Sequence, residues 1–149
     1  YEHGYDAVIQ FDGDGQHKAC YIPVLAKVLE EGYDISIGSR FVTEKKDMSM
    51  RMMGSRIIST LIKLKTGQVI SDPTSGMRMF NREMMKDYAY NMNRQPEPDT
   101  LCHMMLKGAK VKEVQVAMQE RIAGTSIYAS SWNSIKYMVR TILSIIFIA

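Results

Sequence analysis

The chain has 149 residues, the size of one ordinary domain, which argues against a two-domain enzyme. Hydrophobic residues make up 46% and charged residues 23%, a globular balance that excludes a disordered tail. The 19 Lys plus Arg against 16 Asp plus Glu leave a net charge of +3, too mild to make nucleic acid the main partner.

The chain opens on Tyr1-Glu-His-Gly-Tyr5, with no initiator Met and no signal or transit peptide pattern, so a start inside a larger gene product is expected. Asp6 to Phe11 is a short apolar run, read as a buried strand that stops at the acidic turn Asp12-Gly-Asp-Gly15. A helix follows, with Pro23 in its first turn, Ile22, Leu25, Val28 and Leu29 on one face, and Gly32 at its C-terminal cap. Asp34 to Gly38 reads as a second strand. Strand, helix and strand together predict a βαβ unit whose two strands pair in parallel.

Met52 to Lys65 predicts a helix, Ser71 to Gly76 a loop, Met77 to Phe80 a short strand and Arg82 to Tyr90 a helix. Asn91 to Pro98 is a polar loop, Asp99 to Lys107 a helix ending at Gly108, and Val111 to Met118 an alternating strand. From Trp132 the apolar residues Ile135, Met138, Val139, Ile142, Ile145 and Ile146 recur at helical spacing. That last helix is too short to span a bilayer. It either packs on the sheet or lies along a membrane surface with Lys136 and Arg140 at the headgroups. Cys20 and Cys102 are too few for a disulfide scaffold and lack zinc-site spacing, so reduced thiols and a cytoplasmic setting are expected. The 13 methionines point first to a plastic core and second to an adaptable apolar surface.

Four clusters carry chemistry. Asp12 and Asp14 stand two apart just past a strand end, where ligands of open α/β sheets collect. Like charges there repel unless a cation joins them, and Mg²⁺ or Mn²⁺ prefers such oxygen ligands. Gln16 adds a neutral oxygen, and His17 a hydrogen bond or a ligand. Gly38-Ser-Arg40, followed by Arg51, Ser55 and Arg56, forms a basic cluster, with Arg51 and Ser55 on one helix face. Arginine forks suit phosphate oxygens, so a metal beside this cluster suggests two phosphate groups. Asp72-Pro-Thr-Ser-Gly-Met-Arg78 offers the hydroxyls of Thr74 and Ser75, close approach at Gly76 and the charge of Arg78, with Asp72 placed to cap backbone amides. Glu120-Arg121 leads into a polar loop with Gly124 and Ser126.

Taken together these motifs resemble family 2 glycosyltransferases, in the branch similar to dolichyl-phosphate mannose synthases and polyprenyl-phosphate glycosyltransferases. The resemblance rests on Asp12-Gly-Asp-Gly-Gln-His17, Gly38-Ser-Arg40, Arg51 with Ser55-Arg56, Asp72 to Arg78, and Glu120-Arg121 through Ser126, in matching order and spacing over nearly the whole chain. It implies an α/β fold, part of a GT-A (Rossmann-like) domain with a mixed, mostly parallel sheet flanked by helices. Residues 1–149 would then be one catalytic domain lacking its first nucleotide-binding half.

The activity implied is metal-dependent, inverting transfer of a sugar from a UDP- or GDP-sugar to an acceptor, chiefly a polyprenyl phosphate and alternatively a saccharide hydroxyl. Such work belongs to cell-envelope glycan synthesis at the cytoplasmic face of a membrane. By resemblance, Asp12, Asp14 and Gln16 surround Mg²⁺ or Mn²⁺; Arg40, Arg51 and Ser55 hold the acceptor phosphate; Asp72, Thr74, Ser75 and Arg78 form an acceptor loop; and Arg121 contacts the donor diphosphate. A hydroxyl acceptor needs a base, for which Glu97 and Asp99 stand in Gln95-Pro-Glu-Pro-Asp99; the same two residues would otherwise cap a helix. A non-catalytic metal- or partner-binding fragment, and self-association through an uncovered apolar face, are the remaining readings.

Overall fold

Ile35–Ser39 (β2) is buried along its whole length and carries the centre of the molecule. Its β-branched Ile35 and Ile37 are 0% exposed, whereas the hydroxyl of Ser36 on the other face is satisfied by donating to the Leu25 carbonyl at 3.0 Å. The computed structural model describes residues 1–13, 15–92, 95–119 and 131–148, with the side chains of 50, 51, 131 and 133 left aside. Asp14 and the segment 120–130, with Arg121, lie outside the described residues.

Three further strands join β2: Ala7–Gln10 (β1), Arg78–Asn81 (β3) and Val111–Gln115 (β4). The sheet order is β1-β3-β2-β4. The expected parallel neighbours β1 and β2 do run the same way, but they are not paired. β3 lies between them, antiparallel to both, with Ala7 opposite Asn81 and Ile35 opposite Phe80. Only β2 and β4 pair in parallel, from Ile35 with Val111 to Ser39 with Gln115. The sheet is therefore mixed: three strands share a direction, yet two of its three pairings are antiparallel.

Helices cover both faces. Ile22–Glu30 (α1) follows a 3₁₀ turn, carries Pro23 in its first turn as expected, and packs Leu25 against Met77 and Met79. Met50–Thr66 (α2), Arg82–Asn91 (α3), Pro98–Leu106 (α4) and Ser131–Phe147 (α5) complete the set. Ile58 and Ile62 of α2, Leu101 and Met104 of α4 and Ile145 of α5 meet Ile35 and Ile37 in the larger core. Each such side chain, at most 1% exposed, contributes about 2 kcal/mol by leaving water. Methionines 52, 77, 79, 85, 104 and 105 are buried and serve the core, while Met48 and Met53 are exposed.

α5 has two apolar faces. Met138, Ile142 and Ile145 pack inward, whereas Trp132, Ile135, Val139, Leu143 and Ile146 stay 44–63% exposed along one stripe. Among the described residues no helix is long and apolar enough to cross a membrane.

Candidate functional site

Because β3 opposes its neighbours, its first residue, Arg78, stands beside the last residue of β1, Gln10, and near the end of β2 at Ile37. The segments after β1 and β2, the segment before β3 and the segment after β4 therefore emerge from one edge of the sheet. Three of the four sequence clusters meet there.

The middle of this edge is the loop 71–77. Asp72 is 0% exposed, and its carboxylate accepts from Arg40 Nε at 2.7 Å, Arg40 Nη2 at 2.8 Å, the Arg40 amide at 3.2 Å and the Thr74 hydroxyl at 3.3 Å. Instead of capping the amides of its own loop, Asp72 holds the end of β2. Burial pushes its carboxyl up, but the bidentate Arg40 guanidinium outweighs this and holds it below the usual aspartate range. The amides of Ser71 and Asp72 donate instead to Glu113 of β4 at 2.6 and 2.7 Å. Ser75 donates to the Gly38 carbonyl at 2.5 Å.

Arg78 is wholly buried. It donates from Nε to Ser75 O at 2.9 Å, from Nη2 to Pro73 O at 2.5 Å, and from Nη1 to Pro96 O and Glu97 O at 3.2 and 3.3 Å. Burial disfavours its charge, and the four carbonyls compensate. Its guanidinium therefore ties the loop 71–77 to the start of α4. Arg78 and Asp72 are framework within this loop, whereas Thr74 is half-buried at its surface.

On one side of this loop lies Asp12. Its carboxylate sits directly over Gly76, where an added Cβ would overlap Asp12 Oδ2. The side chain of Asp12 is 50% exposed, and the one basic group near it among the described residues is His17 Nε2 at 3.6 Å, too long for a hydrogen bond. The His17 side chain is only 3% exposed, and its Nδ1 is buried without a partner among the described residues. Gly15 adopts φ 81°, a left-handed turn that returns the chain toward the sheet, and Gln16 O accepts from the Gln119 amide at 3.0 Å. An open carboxylate suits a hard divalent cation, and among the described residues no group of three His, Cys, Asp or Glu gathers there to complete a site.

On the other side lies the basic cluster. Arg40 directs two nitrogens at Asp72 and stacks 5.0 Å from the Phe41 ring centroid. Ser55 is 1% exposed and accepts from Lys46 Nζ at 2.8 Å. Arg56 Nη2 donates to the Lys46 carbonyl at 2.8 Å. Sequence reasoning passed over Lys46, which lies in the charged run Glu44-Lys-Lys-Asp47, where no periodicity separates it from Lys45. It also passed over Glu113, one of three polar residues in the five-residue β4, where no local pattern marks it as the acceptor of the Ser71 and Asp72 amides.

Glu97 and Asp99 begin α4. Glu97 is its N-cap residue, with its amide donating to Thr100 Oγ1 at 3.0 Å. Both carboxylates are also met by α5. Tyr137 donates to Glu97 Oε2, and Ser144 donates to Asp99 Oδ2 at 2.6 Å. The helix-start role expected for the pair is present, and Asp99 is 8% exposed.

Residues 4–89 match the family model described as Glycosyl transferase family 2. The chain belongs to glycosyl transferase family 2. The match contains the Asp12 loop, the basic cluster and the loop 71–77. Among curated relatives, the dolichyl-phosphate hexose transferase of Haloferax volcanii is 25% identical over 121 residues, 80% of this chain and 53% of the relative. The polyprenol monophosphomannose synthase of Mycolicibacterium smegmatis is 27% identical over 141 residues, 86% of this chain and 51% of the relative. The undecaprenyl-phosphate 4-deoxy-4-formamido-L-arabinose transferase of Serratia proteamaculans is 31% identical over 124 residues, 83% of this chain and 37% of the relative. The chain spans about half the length of the first two. The four-stranded sheet flanked by helices is the α/β architecture expected of this family's GT-A fold.

Proposed function

We propose that the chain is part of a glycosyltransferase catalytic domain that moves a sugar from a nucleotide diphosphate to a polyprenyl phosphate. The observation that carries this reading is the meeting of an open carboxylate, Asp12, and a cationic cluster on either side of one rigid loop at a single sheet edge. Two anions, the donor diphosphate and the acceptor phosphate, are the substrates that such a pair of subsites suits. The names of the relatives, which include polyprenol and undecaprenyl phosphate, point to the same acceptor class.

In this reading Asp12, Asp14 and Gln16 hold Mg²⁺ or Mn²⁺, which when bound neutralises charge on the departing diphosphate. Arg121 assists at the same group. Arg40, Arg51 and Ser55 serve the acceptor side. A phosphate oxygen attacks the anomeric carbon as the bond to the diphosphate breaks, with inversion. The acceptor is already anionic, so positioning outweighs proton removal, and Glu97 and Asp99 are needed as bases only for a hydroxyl acceptor. The exposed stripe of α5, with Lys136 and Arg140 exposed beside it, is the surface that a membrane holding the lipid would meet.

The test is thermal unfolding with UDP or GDP, with and without Mn²⁺, beside Asp14→Asn. Saturating ligand at about a hundred times its dissociation constant is expected to raise the midpoint by about 5 °C or more, only when nucleotide and metal are both present. Asp14→Asn is expected to abolish the rise. A rise that survives in the variant would remove Asp14 from the metal site. A chain extended to the relatives' length, offered a polyprenyl phosphate against an oligosaccharide, decides the acceptor.

A further inference from the structure

Lys46 is partly buried in an otherwise exposed loop, and its surroundings are unusual for a lysine. Its ammonium donates to two neutral hydroxyls, Ser55 Oγ at 2.8 Å and Ser59 Oγ at 3.4 Å. Among the described residues no carboxylate lies within ion-pair distance of it. An ammonium has three N–H donors, so one remains for a further acceptor. Its nitrogen lies 5.5 Å from the centroid of the Phe41 ring that Arg40 also approaches, so two cations share one aromatic platform. Arg56 fixes its backbone through the carbonyl. Burial pushes the Lys46 ammonium below the usual lysine range, with Asp72 and Glu113 opposing and Arg40 and Arg56 adding to the fall.

A half-buried cation with neutral hydroxyl partners and an unused N–H, among two carboxylates and two further cations beyond ion-pair reach, is an incomplete arrangement. An anion completes it. Arg40 has two of its nitrogens engaged by Asp72, and Ser55 is covered at 1% exposure with its hydroxyl already on Lys46. We propose that Lys46 is a direct ligand of the acceptor's phosphate monoester, and that Ser55 and Ser59 are positioning residues that act through its ammonium. This rests on the acceptor reading above and places the charge of that subsite on a residue outside the motifs that carry the resemblance.

The test titrates the chain with farnesyl phosphate, inorganic phosphate and farnesol, comparing wild type with Lys46→Gln, Lys46→Arg and Ser55→Ala, with unfolding midpoints as a check on the fold. A charge-assisted hydrogen bond is expected to show as about a tenfold or greater weakening of farnesyl phosphate binding in Lys46→Gln. Lys46→Arg should keep part of the affinity, and farnesol binding should not change. Ser55→Ala should weaken farnesyl phosphate less than Lys46→Gln does. Equal affinity for farnesyl phosphate in wild type and Lys46→Gln would overturn the proposal, as would no phosphate binding to wild type. Inorganic phosphate bound as tightly as farnesyl phosphate would also overturn it, leaving a general anion site. Failure of the acceptor reading is a separate result: transfer by the extended chain to an oligosaccharide and not to a polyprenyl phosphate.

Discussion

Gly76→Ala is expected to lower sugar transfer by about a hundredfold while leaving the fold almost unchanged. The added Cβ would overlap Asp12 Oδ2 and stand 3.0 Å from Cγ and 3.3 Å from Oδ1. The backbone at Gly76 needs no left-handed conformation, so alanine brings no local strain. Of the two groups in conflict, the loop 71–77 is pinned by Arg78 and Ser75, whereas the Asp12 side chain is 50% exposed and swings aside at little cost. The carboxylate yields, and a displacement of about 1 Å at a reacting centre costs about two orders of magnitude in rate. Steady-state rates and a Mn²⁺ titration of the extended chain check this, with the unfolding midpoint as control. Wild-type rates in Gly76→Ala would mean that Asp12 works from some other position, and a collapsed midpoint would mean that the loop yields instead.

Arg40→Ala is expected to cost about 3–5 kcal/mol of stability near neutral pH, because it strands a fully buried carboxylate. Asp72→Asn is expected to cost less. It leaves the Arg40 side chain 22% exposed, within reach of water, and keeps an oxygen for the Arg40 amide. The pH dependence separates the two effects. In the wild type the Asp72 carboxyl is held low, so its contribution is complete above the unfolded value, about pH 4, and is lost as pH falls through the folded value. In Arg40→Ala the backbone amide, the Thr74 hydroxyl and Lys46 still oppose burial, but the strongest opposing partner is gone and the folded value is expected to rise above the unfolded one. The variant then loses stability as pH rises between the two, so its deficit against wild type is largest near neutrality and shrinks toward acid. Urea unfolding from about pH 4 to pH 8 measures this. A loss below about 1 kcal/mol with no pH trend would mark the pair as an ordinary surface contact.

The local features were readable and the lateral ones were not. Helices α2 and α5 carry their apolar residues at helical spacing, and the acidic and Ser-Gly turns announce themselves by composition. What no local pattern states is that four residues, Arg78–Asn81, slip between β1 and β2 and turn an expected parallel pair into two antiparallel ones. Arg78 read as a ligand-facing charge because arginines are seldom wholly buried. Its partners at positions 73, 75, 96 and 97 are carbonyls, which every residue has and no sequence distinguishes. Asp72 and Arg40 were legible as residues with chemistry, but their pairing across 32 positions was not. Lys46 was hidden for the opposite reason, as one of two adjacent lysines, of which the fold half-covers this one.

The antiparallel insertion of β3 has a kinetic consequence. Asp12 meets Gly76 only after Ala7–Gln10 has found Arg78–Asn81, and Ser71 meets Glu113 only after β4 has joined β2. Each of these closures spans tens of residues, so the edge that holds the candidate subsites is built from non-local contacts and is expected to form late in folding. Protection by nucleotide or phosphate therefore depends on the population of fully paired sheet as well as on the affinity of the subsites.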